Sequence, residues 1–312
     1  MRGPVNKPHF RASLLLLGML LAVAAACGSG GDEAAPADSQ PLPVLRIGLI
    51  PERNIFIQKK RYKPLAAYLS KKMNVDIELK VLSRYGNIID NFVSNGLDGA
   101  FFGSFTGALA QNRLHVEPLA RPEYFDGTST YHGLIFVRRD SGIENANDMK
   151  GKRFVFVDKA TTAGWLLPLH YFKSAGIDDP LAWLSEAYFA GTHEGAIRDV
   201  LDGKADIGAA KNTVFEALAK TNPRVTRELV ILTRSPDVPE NGLCVRKDLD
   251  VDLKTALKRT LLTMDQDEEG QQILTKFGAA RFIPTSANDY KVVLDFAAAI
   301  GLDLKSYDYI NE

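Results

Sequence analysis

Three segments of the chain repeat one design: AFFGSFTGA (100–108), VFVDKATTAG (155–164) and IGAAKNTVF (207–215). Each closes a short apolar run and opens a helical pattern at Ser, Thr or Asn. Runs that alternate with period two, or are rich in β-branched and aromatic residues, read as strands. Apolar residues spaced three and four apart read as helices. A chain that keeps passing from one to the other is confined to α/β architecture with mostly parallel sheets. In such folds ligands gather at the carboxyl ends of strands, where these three turns lie.

The middle turn is the most informative. Phe154 to Val157 is a buried-strand pattern, and Trp165, Leu169 and Phe172 recur at helical spacing. The helix therefore starts near Thr161 and Thr162, with Gly164 close behind. Its first-turn N–H groups lack intrahelical partners and carry the positive end of the helix dipole, which suits an anion. An ordinary Thr N-cap satisfies the same pattern without a ligand. Ser104 or Thr106 in the first segment, and Asn212 in the third, are open to the same two readings. Thr213 and Glu216 have capping-box spacing, which assigns Glu216 to a cap.

The alternation fills the rest of the chain. Strands are expected at 44–51, 76–83, 131–140, 229–235 and 242–249. One helix carries Tyr62, Leu65, Ala66, Leu69 and Met73 on a single face, with Pro64 in its first turn. Two C-terminal helices are expected at about 253–277 and 289–300. YHGLIFVRRD (131–140) and ENGLCVRKDL (240–249) resemble one another and flank the central segment, as a pair of crossovers would. The expected layout is a first lobe of residues 44–136 and 246–312 and a second lobe of residues 137–245. A cleft lies between them, hinged at Val137–Arg139 and Gly242–Val245.

The N-terminus belongs to export rather than to the fold. Arg2, Lys7 and Arg11 precede an apolar run from Leu14 to Ala26, too short for a comfortable membrane span. The run ends in small residues and Cys27, so residues 1–27 resemble a lipoprotein signal in which Cys27 becomes the lipidated N-terminus. Ala24 stands where Leu is favoured, and cleavage after an Ala-x-Ala site is the alternative. Residues 28–43 are a Gly/Ser/Ala/Pro-rich tether. The other cysteine, Cys244, reads as a small buried hydrophobe.

Composition removes several function classes. Lys+Arg and Asp+Glu each total 38, so the formal net charge is zero, which argues against a nucleic-acid partner. The chain has no nucleophile elbow, zinc-protease helix, phosphate-binding Walker loop or dinucleotide fingerprint. No pair among its five histidines and two cysteines has metal-ligand spacing. His193 is a different case. In GTHEG it opens a helix after a strand-like run, where it is able to donate to an anion. Tyr85 and Tyr131 fall at strand ends or crossovers, and Tyr131 and His132 point to opposite faces, so at most one of that pair reaches the cleft.

Taken in order, YKPLAAYL, LDGAFFGSFTGALA, YHGLIFVRRDSGI, DKATTAGWLLP, AGTHEGAIRDVLDGKADIGAAKNT and SPDVPENGLCVRKDL resemble the phosphate-, phosphite- and phosphonate-binding components of ABC transporters, from about Val44 to about Asp250. The resemblance implies a two-lobed type II periplasmic binding-protein fold and a non-catalytic, exported binding protein without metal or cofactor. Its implied partners are a small oxyanion, a permease and an ATPase, with the membrane reached through lipid on Cys27. It also implies a ligand site of Tyr85, Tyr131, Thr161, Thr162, Ala163, His193 and Asn241, with Ser104, Gly164 and Asn212 as secondary candidates. The third hydroxyl of the family's turn is replaced by Ala163. Two carboxylates that hold an aminoalkyl ligand in some members correspond here to Val214 and Asn241. Without them a buried ligand ammonium would be unpaired, at a cost of about 3–5 kcal/mol, so phosphite, phosphate or methylphosphonate is expected over an aminoalkylphosphonate. The alternatives are a sensor module feeding a histidine kinase, or a binder of another small anion such as a sulfonate or arsenite.

Overall fold

The computed structural model describes residues 42–85 and 88–311. The expected signal, Cys27 and the tether up to Pro41 lie outside the described residues. Two sheets organise the chain. The first runs, edge to edge, Arg281–Pro284, Glu117–Glu123, Gly242–Val245, Gly99–Phe102, Val44–Leu49 and Asp76–Val81. The second runs Leu229–Arg234, Gly133–Arg138, Ile207–Lys211, Arg153–Phe156 and Glu186–Phe189.

The α/β reading holds, but the sheets are mixed rather than mostly parallel. Val44–Leu49 pairs in parallel with both of its neighbours, as does Arg153–Phe156. Strands that the chain reaches after crossing between sheets enter from the other end. Gly242–Val245 is therefore antiparallel to both neighbours, and so is Gly133–Arg138. The crossing itself is the two-stranded ribbon of Thr130–Tyr131 with Val238–Pro239. The changeover thus falls earlier in both crossovers than the sequence pattern places it. Val137 and Arg138 lie in a strand of the second sheet, and Gly242–Val245 is wholly within the first.

Alternation along the strands builds three apolar clusters. Phe101 packs with Tyr62, Leu65, Phe277 and Phe282 on the outer face of the first sheet. Phe102 turns the other way, into a cluster that also holds Phe105, Phe136 and Val155 and so draws on both sheets. Phe154 and Phe156 pack with Trp165 and Phe172 on the outer face of the second. Cys244 is buried with its thiol pushed up to about 12 by that burial, as expected of an inert core residue.

Several helix boundaries differ from the sequence reading. The first helix spans Ile55–Met73, capped by the Asn54 side chain, so Pro64 is interior to it. The expected helix at 253–277 is broken at Asp267, whose carboxylate accepts from Gly270 N and restarts the helix as Glu268–Phe277. The chain end also departs from the expected lobe division. Arg113 donates to the carbonyls of Leu304 and Tyr307, while Tyr307 donates to Lys159 O and Asn311 donates to Asp158. The tail thus reaches the turn that precedes Thr161. Among the described residues no helix is long and apolar enough to cross a membrane.

Candidate functional site

The three strand–helix turns converge on one small cavity between the sheets. Its lining includes Tyr85, Tyr131, Thr161, Thr162, His193 and Asn241, together with Glu52 and Lys211. Six of the seven principal residues expected from the sequence therefore meet in space. The cavity is small, about 10 Å³, close to the room for one water.

The threonine turn is not the simple N-cap that its sequence permits. Thr162–Leu166 is a single π-helical turn, a feature often found at functional sites. Thr161 Oγ1 donates to Asp158 O at 2.6 Å instead of capping the helix. Thr162 Oγ1 accepts from Phe105 N at 2.8 Å, which joins the turn of the second sheet to the helix Ser104–Leu114 of the first. Gly164 serves packing: a Cβ there would lie 2.4 Å from Val157. Ala163 is packed against Gly133, so neither of these two side-chain positions lines the cavity.

Ser104 is the first helical residue and not a side-chain cap, and Gly103 is the N-cap. Its hydroxyl lies 2.7 Å from Pro239 O and 2.9 Å from Tyr131 Oη. A carbonyl only accepts, so the single Ser104 proton goes to Pro239 and the Tyr131 phenol donates to Ser104. A short hydroxyl chain therefore runs from Tyr131 through Ser104 to Pro239 of the crossover ribbon.

His193 opens the helix His193–Leu201, and Thr192 caps that helix by accepting from Gly195 N. Its Nδ1 accepts from Lys211 N at 3.2 Å, which puts the ring proton on Nε2 as a donor. Burial lowers its pKa to about 3, so the ring is neutral at pH 7. Tyr85 stands edge-on to it, with centroids 5.9 Å apart, and burial raises the phenol well above its usual range. Tyr85 Oη and Asn241 Nδ2 are both buried and have no hydrogen-bond partner among the described residues. Two donors thus border the cavity unused, in a protein interior where such groups are normally satisfied.

Asn212 lies elsewhere. Its side chain accepts from His132 N and donates to Glu216, so Glu216 is a partner of Asn212 and not half of a capping box with Thr213. His132 faces away from Tyr131 and lies 3.3 Å from Asp237, in keeping with strand alternation.

Sequence reasoning missed a buried ion cluster. Lys211 Nζ donates to Glu52 at 2.9 Å, to Glu240, and to Asn241 Oδ1 at 3.3 Å, and it stands 4.3 Å from the Tyr131 ring centroid. Burial alone would lower the lysine's pKa, but the Glu240 and Glu52 charges overcome it and hold the ammonium well above its usual range. Burial alone would raise Glu52, and Lys211, by charge and hydrogen bond, brings it down to about 2. The site therefore does contain carboxylates, one residue before Asn241 and three residues after the first strand, at positions other than the Val214 and Asn241 singled out from the sequence. A signal was present: Glu52, Lys211 and Glu240 each sit where a strand runs out or a crossover ends, beside segments that read as buried.

Two mixed sheets, joined by a double crossover and closing on a polar cavity built from helix starts, define the class of two-lobed solute-binding proteins. Within that class, residues 47–290 match the family described as "ABC transporter, phosphonate, periplasmic substrate-binding protein", and the chain belongs to that family. It is 27% identical over 267 residues to a probable ABC transporter phosphite-binding protein of Prochlorococcus marinus, covering 83% of this chain and 90% of that one. It is 25% identical over 246 residues to the phosphonates-binding periplasmic protein of Escherichia coli, covering 78% and 72%. Two solved structures are similar. One is the binding-protein component of an ABC phosphonate transporter from Pseudomonas aeruginosa (TM-score 0.77, 22% identity, 83% of this chain and 87% of that one). The other is the Prochlorococcus marinus protein in complex with methylphosphonate (TM-score 0.73, 25% identity, 82% and 97%). The family is one of periplasmic binding components, so the chain is an extracytoplasmic solute-binding protein and not an enzyme.

Proposed function

We propose that this protein captures a small phosphorus oxyanion, phosphite, phosphate or a short alkylphosphonate, and delivers it to an ABC permease and its ATPase. The observation that carries the reading is the pair of unpartnered donors, Tyr85 Oη and Asn241 Nδ2, at a cavity that also holds Thr161, Thr162 and neutral His193. Neutral donors on fixed elements bind a compact oxyanion by directed hydrogen bonds. Tyr85 and Asn241 stand at strands of the first sheet and the His193 Nε2 donor follows a strand of the second, so ligand binding and lobe closure are one event. In this reading the lobes meet at the ribbon 130–131/238–239, and lipid on Cys27 holds the protein at the membrane. The similarity to phosphite- and phosphonate-binding relatives supports the ligand class.

Thermal-shift and calorimetric titration against phosphite, phosphate, methylphosphonate, sulfonates and arsenite tests the assignment. A ligand at a hundredfold excess over its Kd should stabilise the protein by about 2.7 kcal/mol. Flat responses to every phosphorus oxyanion would refute it. Mass spectrometry of the processed N-terminus, with and without Cys27→Ala, tests the anchor.

A further inference from the structure

Lys211 is 3% exposed, and its three N–H groups have three acceptors: Glu52, Glu240 and Asn241. A lysine has no further donor to give, so it has none left for a ligand. Its position is more informative than its charge. Glu52 and Lys211 line both the small cavity and, on their other side, a wide cavity of about 1010 Å³ between the sheets. The ion pair is thus the wall between the two spaces.

We propose that Lys211 is a built-in stand-in for a ligand's amino group and sets the size and charge of the ligand. This rests on the assignment of the small cavity to a phosphorus oxyanion. Two buried carboxylates with a side-chain amide oxygen form a seat for a primary ammonium. Here a side chain of the protein occupies it, on a stem reaching from the end of strand Ile207–Lys211. With the seat filled, an aminoalkylphosphonate finds no partner for its cation. With the wall in place, a longer alkyl group has no path from the phosphorus to the wide cavity. Only hydrogen, hydroxyl or methyl remains as the phosphorus substituent. Exclusion of aminoalkyl ligands therefore comes from an occupied pair of acids and not from missing ones.

Removing the lysine should reverse both restrictions. Lys211→Ala deletes the ammonium and its stem, joins the two spaces, and leaves Glu52 and Glu240 at the junction. Calorimetry on wild type and variant would use methylphosphonate, propylphosphonate and 2-aminoethylphosphonate, the last two of similar length and differing in the cation. Wild type should bind methylphosphonate at least tenfold more tightly than either longer compound. Lys211→Ala should gain 2-aminoethylphosphonate binding and prefer it at least tenfold over propylphosphonate. Should Lys211→Ala not fold with two unpaired acids, Lys211→Ala/Glu52→Gln removes one charge of each sign and should keep the preference through Glu240. Equal binding of the two longer compounds by the folded variant overturns the proposal. So does a wild type that binds propylphosphonate or 2-aminoethylphosphonate as tightly as methylphosphonate, a result that needs no variant. A wild type that binds no phosphorus oxyanion refutes the ligand class itself and this proposal with it. One that binds methylphosphonate but fails either comparison refutes the role of Lys211 alone.

Discussion

The contact between Thr162 and Phe105 is the sharpest handle on lobe closure. Phe105 N is in the first turn of the helix Ser104–Leu114, where N–H groups have no intrahelical acceptor, and Gly103 gives that helix no side-chain cap. Its partner is Thr162 Oγ1, 2.8 Å away on the other sheet's turn, and both residues are buried. In an opened cleft the same N–H faces water and loses nothing. Thr162→Val keeps the side-chain shape and deletes the acceptor, so the penalty falls on the closed form alone. A buried donor left unsatisfied costs about 1–3 kcal/mol, which is about 5–150-fold in an equilibrium constant. Apparent affinity scales with the population of the binding-competent form. Phosphite should therefore bind Thr162→Val about 5–150-fold more weakly in calorimetric titration. Thr162→Ser, which keeps the hydroxyl, should stay within about threefold of wild type. A Thr162→Val variant within twofold of wild type, or a Thr162→Ser variant as weak as the valine, would refute the reasoning.

Other expectations follow from the site and its supports. His193 has a folded-state pKa of about 3 against an unfolded value near 6.5, so the unfolded chain binds the extra proton between them. Stability is then fully present above about pH 6.5 and falls as pH drops, by about 2–3 kcal/mol between pH 6.5 and 4.5. Urea melts of His193→Gln over that range should show a flatter profile, and an unchanged slope would sink the assignment. Glu52, at about 2 when folded against 4.5 unfolded, contributes stability that is present above about pH 4.5 and lost as pH falls toward 2. Glu52→Gln should lose that acid-range component, as read by thermal denaturation at pH 5 and pH 3. At Gly164 a methyl would meet Val157 at 2.4 Å. Gly164→Ala should then destabilise by about 1–3 kcal/mol, the range for overpacking a filled core, and a melting temperature equal to wild type would contradict it.

Much of the fold was readable because strand and helix periods differ and both are strong here. Phe101 and Phe102, or Phe154 and Val155, announce two buried faces by alternation alone. Strand direction was not readable, since period two is the same in parallel and antiparallel ladders. Only the double crossover makes Gly133–Arg138 and Gly242–Val245 run against their neighbours. The changeover was misplaced because VRRD and VRKD look like exposed connectors. Arg138 in fact ends a ladder and donates to Leu201 O, while Arg246 pairs with Asp98. Thr161, Thr162 and His193 were legible as helix starts. Their hydroxyl and ring partners were not, because Asp158 O, Phe105 N and Lys211 N are backbone groups of no particular residue type.

Lys211 shows why a site's selectivity is harder to read than its location. A lysine after IGAA invites the reading of a solvated charge at a helix start, and on that view it explains nothing about the pocket. Its burial follows from residues 159 and 29 positions away in the chain, Glu52 and Glu240, which no local pattern connects to it. Once the three are together, the desolvation that makes a buried charge unfavourable also makes the arrangement hard to undo. Removing one partner exposes the others to the full penalty. A ligand cation competing for these carboxylates must displace an ammonium already tethered at the site, which forfeits the entropic advantage of the tether. Discrimination against amino-bearing ligands is thereby written into the protein's own ion pairing, while the oxyanion end is left to neutral donors that do not depend on it.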